Sequence, residues 1–71
     1  MPLAMMKPGS SARVAAIRAG RGLCNRLASM GLIPGVEVEV VSNTYRGPVV
    51  VAVRDTRLVL GRGMAQAIEM K

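Results

Sequence analysis

The sequence predicts a mainly β domain, a small five-stranded barrel carrying one short amphipathic helix. Three observations predict it. Ten valines lead an apolar fraction of 51%, a mixture that favours strands. Val36 to Val40 alternates valine with glutamate, the period of two of a half-buried strand. Leu23, Leu27 and Met30 recur at helical spacing just ahead of Gly31, which reads as one apolar helix face and its stop. A chain of 71 residues has room for one domain, residues 1–71, and one small core.

Taken in order, the N-terminal Met-Pro-Leu-Ala-Met-Met is too short for a signal-peptide apolar region, has no basic residue ahead of it and is closed by Lys7-Pro8-Gly9. Export is not expected. Ser11 to Ile17 reads as a first strand of imperfect alternation. Arg18 to Gly22 reads as a loop, because two glycines in three residues disfavour regular structure. From Leu23 to Met30 the apolar stripe, widened by Cys24 and Ala28, spans about 160° at 100° per residue, with Asn25, Arg26 and Ser29 on the opposite arc. Gly31 suits a left-handed C-terminal cap, and no Ser, Thr or Asp caps the N-terminal end. Ile33-Pro34-Gly35-Val36 suits a type II turn, in which proline presets φ and glycine accepts the positive φ that follows.

The strand from Val36 should bury its valines and turn Glu37 and Glu39 to solvent, with neither an opposing acid nor a cleft beside them. Ser42 to Pro48 reads as a polar connection. Val49 to Val53 reads as the second hairpin strand, buried on more than one side. Arg54 to Arg57 reads as a turn, Leu58 to Leu60 as a short strand, Gly61-Arg62-Gly63 as a break, and Gln66 to Met70 as the last strand. Barrel closure would remove edges that a valine-rich open sheet offers for aggregation.

Composition narrows the function classes. The longest apolar run, Val49 to Val53, is far below the roughly 20 residues of a membrane-crossing helix, so any membrane role is indirect. One cysteine, Cys24, allows no internal disulfide and points to a reducing, cytoplasmic compartment. The net charge of +6 comes chiefly from eight arginines and favours an acidic partner surface. Histidine is absent and no nucleophile stands beside a base, so neither catalytic residues nor enzyme activity is expected. The Cys, Asp and Glu residues are scattered, so neither a metal site nor a cofactor is expected. Gly20–Gly22 and Gly61–Gly63 are both Gly-Arg-Gly without the Lys-Ser/Thr sequel of a phosphate loop.

The order of these pieces resembles the FeoA family, the small ferrous iron transport protein A. The most specific pieces are Arg26-Leu27-Ala28-Ser29-Met30-Gly31-Leu32-Ile33-Pro34-Gly35, Gly47-Pro48 ahead of the second hairpin strand, and Leu58-Val59-Leu60 with Ala65 and Ala67-Ile68. The resemblance implies an SH3-like β-barrel. It also implies a cytosolic accessory or regulatory protein of bacterial ferrous iron uptake, bound to the cytoplasmic GTPase-bearing region of the FeoB transporter. Similar domains occur behind helix-turn-helix segments in metal-dependent repressors. The chain is not expected to read polyproline, since Tyr45 is its one aromatic.

A stripe wider than one packed face needs leaves part of the helix for a partner. Leu27 and Met30 should face the barrel. Cys24, Ala28, Leu32 and Met64 are expected to line an apolar docking patch rimmed by Arg26 and Arg62. Oligomerisation could use the same patch, and no small-molecule substrate is expected. Two rivals stand beside this reading. A nucleic-acid-binding barrel fits the charge but lacks stacking aromatics and clustered arginines. A metal-binding regulatory domain, related to the C-terminal domain of the repressors, lacks an evident ligand set.

Overall fold

Strand β1 (Ser11–Ile17) forms where the sequence marks it, and its uneven alternation has a physical reason: it serves two neighbours. In the computed structural model, which describes residues 1–71, Ser11 to Arg13 pair with β2 (Glu37–Asn43), whereas Val14 to Ile17 pair with β5 (Ile68–Met70). A bulge between Val14 and Ala16 bends the strand at the change of partner. With β3 (Val49–Val53) and β4 (Thr56–Leu60), the order across the sheet is β4-β3-β2-β1-β5, all antiparallel. The sheet rolls around one apolar core as the small SH3-like barrel requires. Its two end strands, β4 and β5, are linked by a helix instead of by pairing.

That helix, α2 (Arg62–Ala67), stands where the sequence reading had a break and the start of a strand. Gly61 is extended at its N-cap, the Ala65 N–H donates to the Gly61 carbonyl at 3.0 Å, and Met64-Ala65-Gln66-Ala67 are good helix formers. The last strand is therefore only three residues long. The first helix, α1 (Arg21–Ser29), also begins earlier than expected and takes in Gly22. Gly20, extended, supplies the carbonyl for Cys24 N–H at 3.1 Å, so the expected loop lends its second half to the first turn. No side chain caps that end.

The turns behave as the glycines and proline predict. Gly35 has φ +95°, and the Val36 N–H donates to the Ile33 carbonyl at 3.2 Å, closing the turn around Pro34-Gly35. In β3, Val49, Val51 and Val53 are buried while Val50 and Ala52 are half-buried, so the strand alternates instead of being enclosed on both faces. The β3–β4 connection is a two-residue turn, Arg54-Asp55, with Arg54 at φ +56°. Thr56 and Arg57, expected in the turn, belong to β4.

Two further features escape the sequence reading. Leu3, Ala4 and Met6, part of a stretch weighed only as a leader, lie in the core beside a 3-10 turn, Leu3–Met5. Strand β2 runs on to Asn43 through a bulge between Val40 and Ser42. Val38 and Val40 point inward on even numbers. The extra residue reverses that parity, so Asn43 and not Ser42 faces the core.

Candidate functional site

Residues Arg26 to Gly35 carry the densest sequence signal, and their geometry decides which of them can meet a partner. At the end of α1 the Leu32 N–H donates to the Leu27 carbonyl at 2.9 Å and the Gly31 N–H to the Ala28 carbonyl at 2.9 Å, with Gly31 at φ +90°. These paired bonds are a Schellman motif, which sets the residue after the glycine against the helix's last apolar turn. Leu27 and Leu32 are accordingly both fully buried in one core cluster. Leu32 therefore cannot line a docking patch, contrary to the sequence expectation. The signal was present: an apolar residue directly after a C-terminal cap glycine.

Arg62 departs from its expected place for a different reason. Its Nε donates to the Gly47 carbonyl at 3.0 Å, its Nη1 to the Ala4 carbonyl at 3.2 Å and its Nη2 to Asn43 Oδ1. Asn43, only 5% exposed, sends Nδ2 to the Ala4 and Met6 carbonyls at 2.9 Å each, and its Oδ1 also accepts from the Tyr45 N–H at 2.9 Å. Both donors and both lone pairs of the amide are used. Tyr45, left-handed at φ +65°, closes the knot by donating its hydroxyl to the Met6 carbonyl at 3.4 Å. Arg62 is thus a strut between the N-terminal turn, the β2–β3 connection and α2, and not a rim charge.

The expected patch is also divided in space. Arg62 is anchored through Gly47, just before β3 begins, whereas a Cβ placed on Gly31 would lie 3.9 Å from Val53 Cγ1, at the far end of β3. About 13 Å of strand separates them at 3.3 Å per residue. On α1, Leu23, Cys24 and Met30 are half-buried and Leu27 is buried, while Ala28 is exposed. The inward stripe therefore spans about 120°, close to what one packed face uses. Cys24 sits at its margin, with the thiol directed at the Ala19 carbonyl 3.4 Å away. Arg26 and Ala28 are exposed at opposite borders of the outward arc, which also carries Arg21, Asn25 and Ser29. Ile33, 45% exposed, continues the apolar surface beyond the cap. Met64 is half-buried on α2.

Two clefts lie elsewhere. One of about 330 Å³ is lined by Met1, Met5, Met6 and Met70 together with Lys7 and Lys71. Residues so far apart in the chain give no local signal. The other, about 300 Å³, runs over the outer face past Ser11, Glu37, Glu39, Ala52 and Arg54. Glu37 and Glu39 thus border a shallow polar cleft, which the sequence reading did not give them. No three of the Cys, Asp and Glu side chains converge as metal ligands would. Glu69 is held by the Met1 amine, whose nitrogen is 2.5 Å from Oε2, and that hydrogen bond keeps its carboxyl below the usual range.

A family model described as the FeoA domain matches residues 1–71. A candidate Fe(2+) transport protein A of Methanocaldococcus jannaschii is 39% identical over 67 residues, 94% of this chain and 80% of that protein. Among solved structures, an iron uptake regulatory protein (FeoA) superposes with a TM-score of 0.95 at 32% identity, over 100% of this chain and 95% of that one. The Stenotrophomonas maltophilia FeoA, solved with zinc and described as a prokaryotic SH3 domain protein, gives 0.87 at 26% identity, covering 100% and 89%. A manganese-dependent transcriptional repressor gives 0.86 at 27% identity, with 96% of this chain matching 39% of that chain.

Proposed function

Because the chain belongs to the FeoA family, we propose that it serves in the cytosol as an accessory protein of ferrous iron uptake, binding the cytoplasmic GTPase-bearing region of a FeoB-type transporter and catalysing nothing itself. The observation that carries this reading is the outward face of α1. Arg21 and Arg26 stand there with no acidic residue on the helix, and Ala28 and Ile33 give it small and apolar ground. A basic helix face with an apolar margin fits an acidic surface that offers an apolar side chain. Cys24, Arg26 and Ala28 are kept from the sequence-based patch, with Ile33 added. Leu32 lies behind that face in the core, whereas Arg62, a strut, and Met64 belong to α2 and stand apart from it.

Docking would influence transport only through a difference in affinity between the transporter's nucleotide states. The test is retention of the transporter's cytoplasmic region on the immobilised protein, with and without guanine nucleotide. Retention that falls about tenfold in Arg26→Glu and in Ala28→Glu is expected for contacts near the centre of an interface. No retention in any nucleotide state, or retention that neither substitution changes, overturns the reading.

A further inference from the structure

The two end strands of the sheet are finished differently. Along β5 the outer side is occupied by the chain's own N-terminal residues: Pro2 bridges to Glu69, and the Met70 N–H donates to the Met1 carbonyl at 2.7 Å. Along β4 nothing comparable lies. Its register with β3 is regular from Val53↔Thr56 to Val49↔Leu60. In an antiparallel ladder closed by a two-residue turn, alternate residues face the partner strand. Thr56, Leu58 and Leu60 therefore spend their N–H and C=O groups on β3, and Arg57 and Val59 turn theirs outward. Neither residue takes part in any backbone bond outside the ladders.

The side chains at those two positions share the outer face, and both are exposed. Val59 is 70% exposed, more than any other large apolar side chain. Arg57 has no ion-pair partner, since the two ion pairs of the fold both belong to Glu69. Native edges are usually blunted by a proline, a bulge, an inward-pointing charge or edge charges. Strand β4, five residues long, has neither proline nor bulge, and its one charge is the outward-facing Arg57.

We propose that the outer edge of β4 takes up an extended, acidic segment of another protein as a sixth strand. Arg57, without an ion-pair partner on that edge, sets the sign of the occupant. A second copy of this chain would instead bring two chains of +6 edge to edge. An antiparallel segment would exchange main-chain hydrogen bonds with Arg57 and Val59, placing a carboxylate opposite Arg57 and, two residues earlier, an apolar side chain opposite Val59. The motif recognised is therefore apolar-x-acidic in an extended stretch. This assignment goes beyond the transporter reading and does not depend on it.

The probe is an eight-residue capped peptide repeating Val-Thr-Glu-Thr, which sets valine and glutamate two residues apart on one face, with its Val-Thr-Lys-Thr counterpart, titrated into the full 15N-labelled chain. The glutamate peptide is expected to shift the Arg57 and Val59 amide signals, to protect both from exchange and to bind about tenfold more tightly than the lysine peptide, as reversal of cross-strand charge pairs predicts. Val59→Pro removes an outward N–H that the β3 ladder does not use, so the Leu58 and Leu60 amides should stay protected while peptide binding is lost. Val59→Glu, which sets a like charge beside the peptide's carboxylates, should weaken binding with the fold intact. Equal binding of both peptides, shifts centred on α1, binding unchanged in both variants, or an edge already filled by self-association at working concentration overturns the proposal.

Discussion

Arg26 on α1 and Arg62 on α2 are the same residue type on two short helices, yet one is free and the other is spent. Arg26 is exposed with no hydrogen-bond partner beyond the helix, whereas all three Arg62 nitrogens that donate find acceptors in three different parts of the chain. The difference follows from what each helix packs on. Helix α1 buries an apolar stripe and leaves its polar arc to solvent. Helix α2, too short for a stripe, holds its place against the N-terminal turn through a polar knot around Asn43. A charge is available for docking only where the fold has not already used its donors.

The comparison can be broken or sharpened by substitution. Leu32→Ala should have the largest effect, a loss of about 3 kcal/mol as for a fully buried leucine, and Ala28→Glu, four residues away, should cost under about 0.5 kcal/mol. Thermal unfolding of the two variants measures the contrast, and equal losses would return Leu32 to the surface. Asn43→Ala should cost about 2 to 3 kcal/mol, because two carbonyls, an N–H and a guanidinium lose their buried partner together. Arg62→Ala should cost about 1 to 2 kcal/mol against about 0.5 or less for Arg26→Ala, by urea unfolding at matched slope. Gly31→Ala comes last, at about 1 kcal/mol. Its Cβ would meet only Val53 Cγ1 at an ordinary 3.9 Å, so the loss should come from the left-handed φ alone.

Much of α1 and its flanks was legible because local chemistry fixes it. A stripe at helical period, a cap glycine, Pro34-Gly35 and the Val-Glu alternation each constrain the next few residues, and β1 and β3 fall on the segments read for them. What was not legible depends on residues distant in the chain. The N-terminal turn packs its apolar side chains into the core and is tied there by Asn43 and Arg62, 39 and 58 residues away from Ala4, which bind its carbonyl. The bulge at Val41 leaves no compositional mark, yet it decides that Asn43 turns inward. Helix α2 was hidden by Gly61 at its N-cap and Gly63 inside it, since Gly61 reads equally as a breaker or as an extended N-cap. For the docking surface, sequence proximity grouped Leu32 with Ala28, whereas the Schellman bonds send them to opposite sides.

The most direct test measures binding and stability together on Arg26→Glu and Arg62→Ala, using the transporter's cytoplasmic region and a temperature at which both variants are folded. Arg26→Glu should keep its melting temperature within about 4 °C, the equivalent of roughly half a kcal/mol for a domain this small, and lose about tenfold in retention. Arg62→Ala should melt earlier and, while folded, bind as the unaltered protein does. Undiminished binding by Arg26→Glu, or a binding loss in folded Arg62→Ala that matches that of Arg26→Glu, would contradict the division between a docking helix and a structural one.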